Sequence, residues 1–348
     1  MANIMQEITG ITKTGDKIIA YTIDNGRIKV RLSNYGAAIL NLWVPDKDGI
    51  PADIVLGYDR IEQYFDNPCN FGVVVGPSAN RIAGGKVTID GRDYQMPQNE
   101  NGNNLHTDFD SGLHKTVWDA EALGDNVTFT VNLEDGKYGL PGNRIMMVSY
   151  TLTDDDVLHI AYFGTSDKET VFNPTNHSYF NLAGEGSGDV LAHTLRLYAS
   201  SFTPVDDELI PTGELRDVTG TPFDFKVEKP IGRDIAADDD QLKKGQGYDI
   251  NFAIDDYDGG ESLKPAVRVE EPESGRAMEV WTSLPGIQLY TANYVDEANA
   301  KGGRSYGQYS SLCLETQYFP DAVHHDNFVS PLTKAGGTYR SVTEFRFG

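Results

Sequence analysis

The sequence has few cysteines and no long apolar run. Its 348 residues include only two cysteines, Cys69 and Cys313, which is too few for a scaffold held by disulfides and is typical of a reducing compartment. No stretch approaches the roughly 18 consecutive apolar residues of a membrane-spanning helix. The first residues also lack the basic and apolar segments of a signal peptide. We therefore expect a cytoplasmic protein.

Positive charge is also scarce. The chain carries 29 Lys and Arg against 52 Asp and Glu, which gives a formal net charge of -23 at pH 7. Such a surface repels phosphate backbones and anionic lipid headgroups, whereas a neutral small molecule does not feel that field. We expect no nucleic-acid partner and no membrane partner, and a neutral ligand is favoured over a nucleotide or a phosphorylated metabolite.

Helical periodicity is scarce as well, and alternation of apolar and polar residues takes its place. The alternation is clear at Ile28, Val30 and Leu32 and returns at 127–133, 195–197, 267–269 and 287–289, bounded by turn residues. Only 60–65 and 296–300 suggest a helical turn or two. The acidic runs at 154–156 and 238–240 are interpreted as solvated turns. The pattern predicts an all-β fold, a large antiparallel sandwich or barrel.

Two of the seven histidines have polar neighbours that suit catalysis. His106 ends NNLH at 103–106, and His177 lies in PTNHSYFNL at 174–182. On an extended segment His177 and Tyr179 would project from one face, which would place a titratable imidazole beside a phenol. Each histidine alone could equally be a hydrogen-bonded structural residue. The others are interpreted as structural or loop residues: His114, His159, His193, His324 and His325.

The segment LCLETQ at 312–317 contains a single carboxylate, that of Glu315. As a strand it would point Leu312 and Leu314 one way, and Cys313, Glu315 and Gln317 the other. A carboxylate on an otherwise apolar strand is costly unless it is paired or used in chemistry. A Glu at a solvated strand end is the alternative.

Three further segments offer polar groups that suit the hydroxyls of a ligand. Arg81, ahead of the glycine pair in NRIAGG at 80–85, could hold two adjacent hydroxyls with its planar fork. Asp249 in YDINF at 248–252 is a further acceptor, and Gln288 in PGIQLY at 285–290 is a further polar group. A surface arginine, an Asx turn and a solvent-facing glutamine are the respective alternatives.

Together these segments resemble the aldose 1-epimerase (galactose mutarotase) family over nearly the whole chain. The landmarks, in order, are NYGA at 34–37, DIVLGY at 53–58, NRIAGG at 80–85, NLH at 104–106, LPGN at 140–143, TNHSYFNLAG at 175–184, TPVD at 203–206, IPTG at 210–213, GTPFDF at 220–225 and LETQ at 314–317. The resemblance implies one domain over residues 1–348. Its fold would be the galactose mutarotase-like β-sandwich, with the sugar in an open cleft across one sheet.

The resemblance also implies residue roles in interconverting the α and β anomers of free hexoses such as glucose and galactose. Glu315 matches the general base, His177 the general acid, and His106 its partner near the ring oxygen. Residues that match sugar-contacting positions are Asn80, Arg81, Asp249 and Gln288, with Tyr179 as a weaker candidate. One carboxylate and one imidazole suffice for this chemistry, so we expect no metal and no other cofactor.

The resting site should then hold an ionised Glu315 and a protonated His177, and the activity should have a bell-shaped pH dependence. The negative charge of the chain would help to keep the imidazole charged.

Two other functions remain open. A hexose-6-phosphate epimerase would need a basic pocket for the phosphate, and a non-catalytic sugar-binding protein would keep the sheet without the chemistry. Both a monomer and a homodimer are compatible with the sequence. Departures from the family pattern near the sugar-contacting positions bear on substrate preference, and they are Pro77, Thr107, Ile250 and Leu289.

Overall fold

The computed structural model describes residues 2–348, and antiparallel strands make up most of its regular structure. Strand accounts for 43% of the chain and helix for 8%, which confirms the all-β prediction. The alternation seen in the sequence appears directly in the burial of the strands. In the strand Asn126–Leu133, for example, Val127, Phe129, Val131 and Leu133 are buried and the residues between them are not.

The strands are long in the sheets and very short around the loops. Those of the first half of the chain are β1 (Asn3–Ile11), β2 (Lys17–Asp24), β3 (Lys29–Ser33), β4 (Ala38–Pro45), β5 (Pro51–Asp53), β6 (Val74–Val75), β7 (Arg81–Ile82), β8 (Lys86–Ile89), β9 (Arg92–Gln95), β10 (Asn104–Leu105), β11 (Asp119–Leu123), β12 (Asn126–Leu133), β13 (Arg144–Leu152) and β14 (Val157–Ser166). Those of the second half are β15 (Thr170–Val171), β16 (Thr175–Asn176), β17 (Tyr179–Phe180), β18 (Thr194–Leu197), β19 (Ser201–Thr203), β20 (Arg216–Asp217), β21 (Lys229–Pro230), β22 (Asp249–Ala253), β23 (Lys264–Glu270), β24 (Ala277–Thr282), β25 (Gly286–Tyr290), β26 (Leu312–Gln317), β27 (Leu332–Thr333) and β28 (Thr338–Phe347).

Helices are few and short. The single α-helix within residues 2–348, α1 (Asp240–Gly245), follows Asp239, whose carboxylate accepts hydrogen bonds from the backbone N–H groups of Gln241 and Leu242. Asp238 and Asp240 are exposed, as expected of a solvated segment, but the run leads into a helix and is not a turn. Turns of 3-10 helix cover Ile61–Phe65, Ala83–Gly85, Leu113–Lys115, Lys137–Gly139, Ile231–Arg233, Lys301–Gly303 and Ala322–His324, whereas 296–300 forms no helix. No helix in the described part of the chain has the length and apolar content needed to cross a membrane.

Three sheets carry most of the strands. Their orders are β1-β2-β3-β4-β5, β11-β12-β13-β14-β28-β24-β23-β18-β21 and β17-β26-β25-β22-β19-β20, and their neighbouring strands are antiparallel. One apolar cluster draws side chains from all three, for example Val30, Val148 and Leu314. The sheets therefore share one core, as sheets packed face to face do.

Alternation gives the six-stranded sheet one apolar face and one polar face. Leu289 and Leu314, cross-strand partners on β25 and β26, enter the core. Asn251, Gln288 and Glu315 lie opposite one another on β22, β25 and β26, and their side chains point to the other face. The strand pattern of 312–317 is thus confirmed, and a row of polar groups crosses this face.

Two departures from the family pattern belong to the apolar face. Ile250 and Leu289 are cross-strand partners, and both are buried in the main core. These side chains point away from the polar face. Their position therefore does not support the expected influence on substrate preference. Thr107 also has a structural contact, since its hydroxyl donates to the carbonyl of Ser78 at 2.9 Å and accepts the Ser78 N–H at 3.0 Å.

Candidate active site

A cavity of about 640 Å³ lies against the polar face of the six-stranded sheet. Seven of the residues singled out in the sequence line it: Asn80, Arg81, His106, His177, Tyr179, Asp249 and Glu315. Gln288 does not line it, and neither do Pro77, Thr107, Ile250 and Leu289. Residues from distant parts of the chain thus converge on one space.

His106, His177 and Glu315 form a buried cluster in the wall of this cavity. One nitrogen of each histidine and one carboxylate oxygen lie within 4.8 Å of one another. His177 Nε2 lies 3.7 Å from Glu315 Oε1, and the two imidazole rings meet edge to face with centroids 5.2 Å apart. Two imidazoles and one carboxyl group therefore face the same small volume.

The backbone of Asn80 holds His106 in place and selects its tautomer. The Asn80 N–H donates to His106 Nδ1 at 3.1 Å, and the His106 N–H donates to the Asn80 carbonyl at 3.1 Å. Both residues adopt positive φ, 57° for Asn80 and 52° for His106. Because Nδ1 accepts a hydrogen bond, a neutral His106 carries its proton on Nε2 and can donate it to a ligand.

His177 is held by a backbone hydrogen bond, a cysteine and an aromatic ring. Its N–H donates to the carbonyl of Val73 at 2.8 Å, and its Nδ1 lies 3.7 Å from Cys313 Sγ. The ring of Tyr179 stacks on the imidazole with centroids 5.0 Å apart, which confirms that the two side chains share a face. Burial lowers the pKa of His177 to about 4, because the charged imidazolium is poorly solvated there.

Glu315 has the opposite shift. Its Oε2 is buried and has no hydrogen-bond partner. Burial, and then the charge of Asp249, raise the pKa of Glu315 to about 8, while the charge of Arg81 acts against them. Near pH 7 these pKa shifts favour a protonated Glu315 carboxyl beside a neutral His177. This is the reverse of the expected charge distribution, because desolvation outweighs the long-range field of the chain.

Arg81 and Asp249 form the other wall of the cavity. Arg81 Nε donates to Glu100 Oε2 at 2.5 Å and Nη2 donates to Glu100 Oε1 at 2.9 Å, while Nη1 lies 4.0 Å from Asp249 Oδ2. Gln288 Nε2 donates to Asp249 Oδ1 at 2.7 Å from the neighbouring strand. Arg81 is thus no surface arginine and Gln288 does not face solvent. Gln288 does not line the cavity but contacts Asp249, which does. Burial raises the pKa of Asp249.

Some cavity residues are not predicted by the sequence patterns. His114 was interpreted as structural, yet it lines the cavity, its Nδ1 has no hydrogen-bond partner, and burial lowers its pKa to about 4. Glu100, Tyr290 and Tyr294 line it as well. Glu100 stands in a polar stretch rich in Asn and Gly, where no local pattern distinguishes it from a solvated residue.

Three other histidines have polar partners outside the cavity. His193 Nε2 accepts the N–H of Leu182 at 3.0 Å, and His159 Nδ1 lies 3.2 Å from a Glu344 carboxylate oxygen. His324 Nδ1 lies 2.6 Å from Asp321 Oδ1. None of these three histidines lines the cavity.

The spacing of His106, His177 and Glu315 would suit a divalent cation. The hydrogen bond from Asn80 to His106 Nδ1 opposes that use, because it leaves the proton of a neutral His106 on Nε2. A metal could bind Nε2 only after displacing this proton. The donor set is therefore better suited to hydrogen bonding and proton transfer.

Comparison with known proteins gives matches over the full length. The family model described as "Aldose 1-epimerase" matches residues 20–346. The galactose mutarotase of Rattus norvegicus is 36% identical over 349 residues, covering 100% of this chain and 99% of the relative. The aldose 1-epimerase of Haemophilus influenzae is 36% identical over 335 residues, covering 95% of each. The solved galactose 1-epimerase of Lactobacillus acidophilus is 25% identical with a TM-score of 0.87, covering 100% of this chain and 99% of that one.

Proposed function

The chain belongs to the aldose 1-epimerase family, and from that membership we infer that it is an isomerase interconverting the α and β anomers of free hexoses such as glucose and galactose. The observation that carries the chemistry is the convergence of His106, His177 and Glu315 within 4.8 Å in the wall of one cavity. A carboxyl and an imidazole 3.7 Å apart can transfer protons at two neighbouring oxygens of one sugar.

The reaction conserves every atom and proton. A base removes the proton of the anomeric hydroxyl while an acid protonates the ring oxygen, and the bond between C1 and the ring oxygen breaks to give the open-chain aldehyde. Rotation about C1–C2 exposes the other face of the carbonyl. Reclosure with both proton transfers reversed gives the other anomer. We assign Glu315 as the base, His177 as the acid, and His106 as a donor that holds the ring-oxygen region through Nε2.

The pair needs one proton, and it has one. Burial lowers the pKa of His177 to about 4 and raises the pKa of Glu315 to about 8, which favours the form with a single proton between these values. These pKa values place that proton on Glu315 before a sugar binds. A sugar hydroxyl that donates to the unpartnered Oε2 would favour the carboxylate and shift the proton toward His177, which gives the assigned base and acid.

The other wall of the cavity supplies the grip on the sugar. We propose that Arg81, Asp249, Asn80 and Tyr179 contact the hydroxyls or the ring, with Gln288 orienting Asp249. Arg81 Nη1 and the Asp249 carboxylate offer a donor and an acceptor 4.0 Å apart, a spacing that suits neighbouring hydroxyls. Holding the ring this way would fix the anomeric centre between acid and base.

Polarimetry on freshly dissolved α-glucose and α-galactose tests the function. We expect the protein to bring both solutions to their equilibrium rotation far faster than buffer alone. A protein that binds these sugars in calorimetry without accelerating the change would be a sugar-binding module. A protein that acts on glucose 6-phosphate and not on glucose would be a hexose-6-phosphate epimerase.

We also propose that residues 1–348 act as one domain, in the cytoplasm, as a monomer or homodimer without a nucleic-acid or membrane partner. The core shared by the three large sheets supports the single domain. Both cysteines are free thiols, in keeping with a reducing compartment. Limited proteolysis that released a stable fragment would contradict the single domain.

A further inference from the structure

The one strongly buried cation of the cavity wall already has an anionic partner. Glu100 holds one edge of the Arg81 guanidinium, through Nε at 2.5 Å and Nη2 at 2.9 Å, and the exposed fractions of the two side chains are 9% for Arg81 and 25% for Glu100. This is the bidentate arrangement in which a guanidinium recognises a carboxylate or a phosphate. The edge of Arg81 formed by Nε and Nη2 is therefore not available to an anionic ligand, and Nη1 is left beside Asp249.

A tight turn fixes Glu100 in that position. Its N–H donates to the carbonyl of Asn103 at 3.2 Å, and the Asn103 N–H donates back to the Glu100 carbonyl at 2.7 Å. The Asn103 side chain is held in turn, because its Oδ1 accepts the N–H of Gly84 at 2.8 Å and its Nδ2 donates to Glu208 at 2.8 Å. The carboxylate is thus presented to Arg81 by an ordered segment.

The rest of the cavity offers little to attract an anion. Besides the histidines, five carboxyl side chains and two basic side chains line it, and they are Asp66, Glu100, Asp110, Asp249, Glu315, Arg81 and Lys115. Burial lowers the pKa of His106, His114 and His177, so these rings are neutral near pH 7. A neutral sugar meets hydrogen-bonding groups here, whereas an anionic sugar meets more carboxylates than cations, even with Glu315 protonated.

We propose that Glu100 is a specificity-determining residue: by occupying the Nε/Nη2 edge of Arg81 and adding a negative charge to the cavity, it makes this site accept neutral aldoses and reject anionic ones such as hexuronates. The inference rests on the proposed function. Glu100 carries no proton in the reaction and is not a catalytic residue. Its removal frees the fork of Arg81 for the carboxylate of a substrate and removes one negative charge from the cavity.

The test uses galacturonate as a competitive inhibitor of galactose mutarotation, followed by polarimetry at low salt. The readout is the ratio of the galacturonate inhibition constant to the KM for galactose. In Glu100→Gln this ratio should fall by about tenfold or more, the order expected for removing a like charge at a partly shielded site. The fall should shrink at high salt, because the interaction is electrostatic.

Matched variants separate charge from shape. Glu100→Asp and Glu100→Asn share a shortened side chain and differ only in charge, so Asn should show the lower ratio and Asp should stay near the parent. This pair also replaces Glu100→Gln if that variant does not fold. Asp110→Asn removes a charge from the same cavity without releasing Arg81, so its ratio should stay within about threefold of the parent, the size of a solvated surface charge effect.

Two results would overturn the proposal. One is an unchanged ratio in Glu100→Gln and in the Asp/Asn pair, in proteins that still turn over galactose. The other is an equal fall in Asp110→Asn, which would assign the effect to total charge. A parent protein that fails to mutarotate galactose would instead refute the proposed function, so the two failures are distinguishable.

Discussion

Replacing Glu315 by Gln is the most direct test of the assigned chemistry. The amide keeps the size of the side chain and one acceptor oxygen, but it cannot take a proton from the anomeric hydroxyl. Glu315 is buried between neighbouring strands, and its Oε2 has no hydrogen-bond partner in the site. The substitution therefore breaks no contact of Oε2. Because the pKa of Glu315 is raised in the folded protein, burying it costs stability above about pH 4.5, so a neutral amide should not lower the thermal midpoint at pH 7.

The expected loss follows from the environment of the carboxyl. Burial and Asp249 raise the pKa of Glu315 to about 8, which places it near the working pH, where a general acid or base is most effective. A positioned group of this kind contributes about 10²–10⁴-fold. We expect kcat to fall by that factor, which corresponds to about 3–5 kcal/mol of transition-state stabilisation. Sugar affinity should persist, because the wall formed by Arg81 remains.

Polarimetry gives the rate and calorimetry gives the affinity. His193→Asn is a suitable control, since His193 is also a buried histidine whose pKa burial lowers to about 4, yet it lies outside the cavity. That variant should retain near-parent kcat. A Glu315→Gln protein that mutarotates glucose and galactose at near-parent rates would refute the assignment. So would loss of sugar binding together with activity, because it would make Glu315 a binding residue.

The remaining predictions concern the acid, the pH profile, the sugar contacts and metal dependence. His177→Asn should lower kcat about as much as Glu315→Gln, and the double variant should lose much less than the product of the two losses, because acid and base act together; multiplicative losses would argue against a shared step. The profile of kcat/KM should be bell-shaped with limbs near pH 4 and 8, since the pair holds two protons below the pKa of His177 and none above that of Glu315; a flat profile across pH 8 would contradict the raised pKa. Arg81→Ala and Asp249→Ala should mainly raise KM, because hydroxyl contacts are made in both ground and transition states. A fall in kcat at constant KM would show that these two residues do not bind the sugar hydroxyls. Activity should survive exhaustive EDTA treatment, because the tautomer of His106 disfavours a metal; loss on chelation and recovery with a divalent ion would refute this.

The sequence by itself determined the local features of the site. Side chains alternate along an extended strand, so the apolar positions of 312–317 already placed Glu315 on the face opposite Leu314, and the same rule placed Tyr179 beside His177. The turn and strand patterns gave the all-β class, and the ordered motifs gave the family. These conclusions needed only periodicity and the identity of nearby residues.

Only the tertiary structure decided what meets across the cavity and in which charge state. Strand pairing brings Gln288 opposite Glu315. Loop packing brings Glu100 onto Arg81 and His114 into the cavity wall, although the local sequence of Glu100 and of His114 marks neither as a site residue. The protonation states of Glu315 and His177 could not be predicted from the sequence either. A pKa in a buried site follows from desolvation and from the charges a few ångströms away, and both exist only once distant segments have packed together.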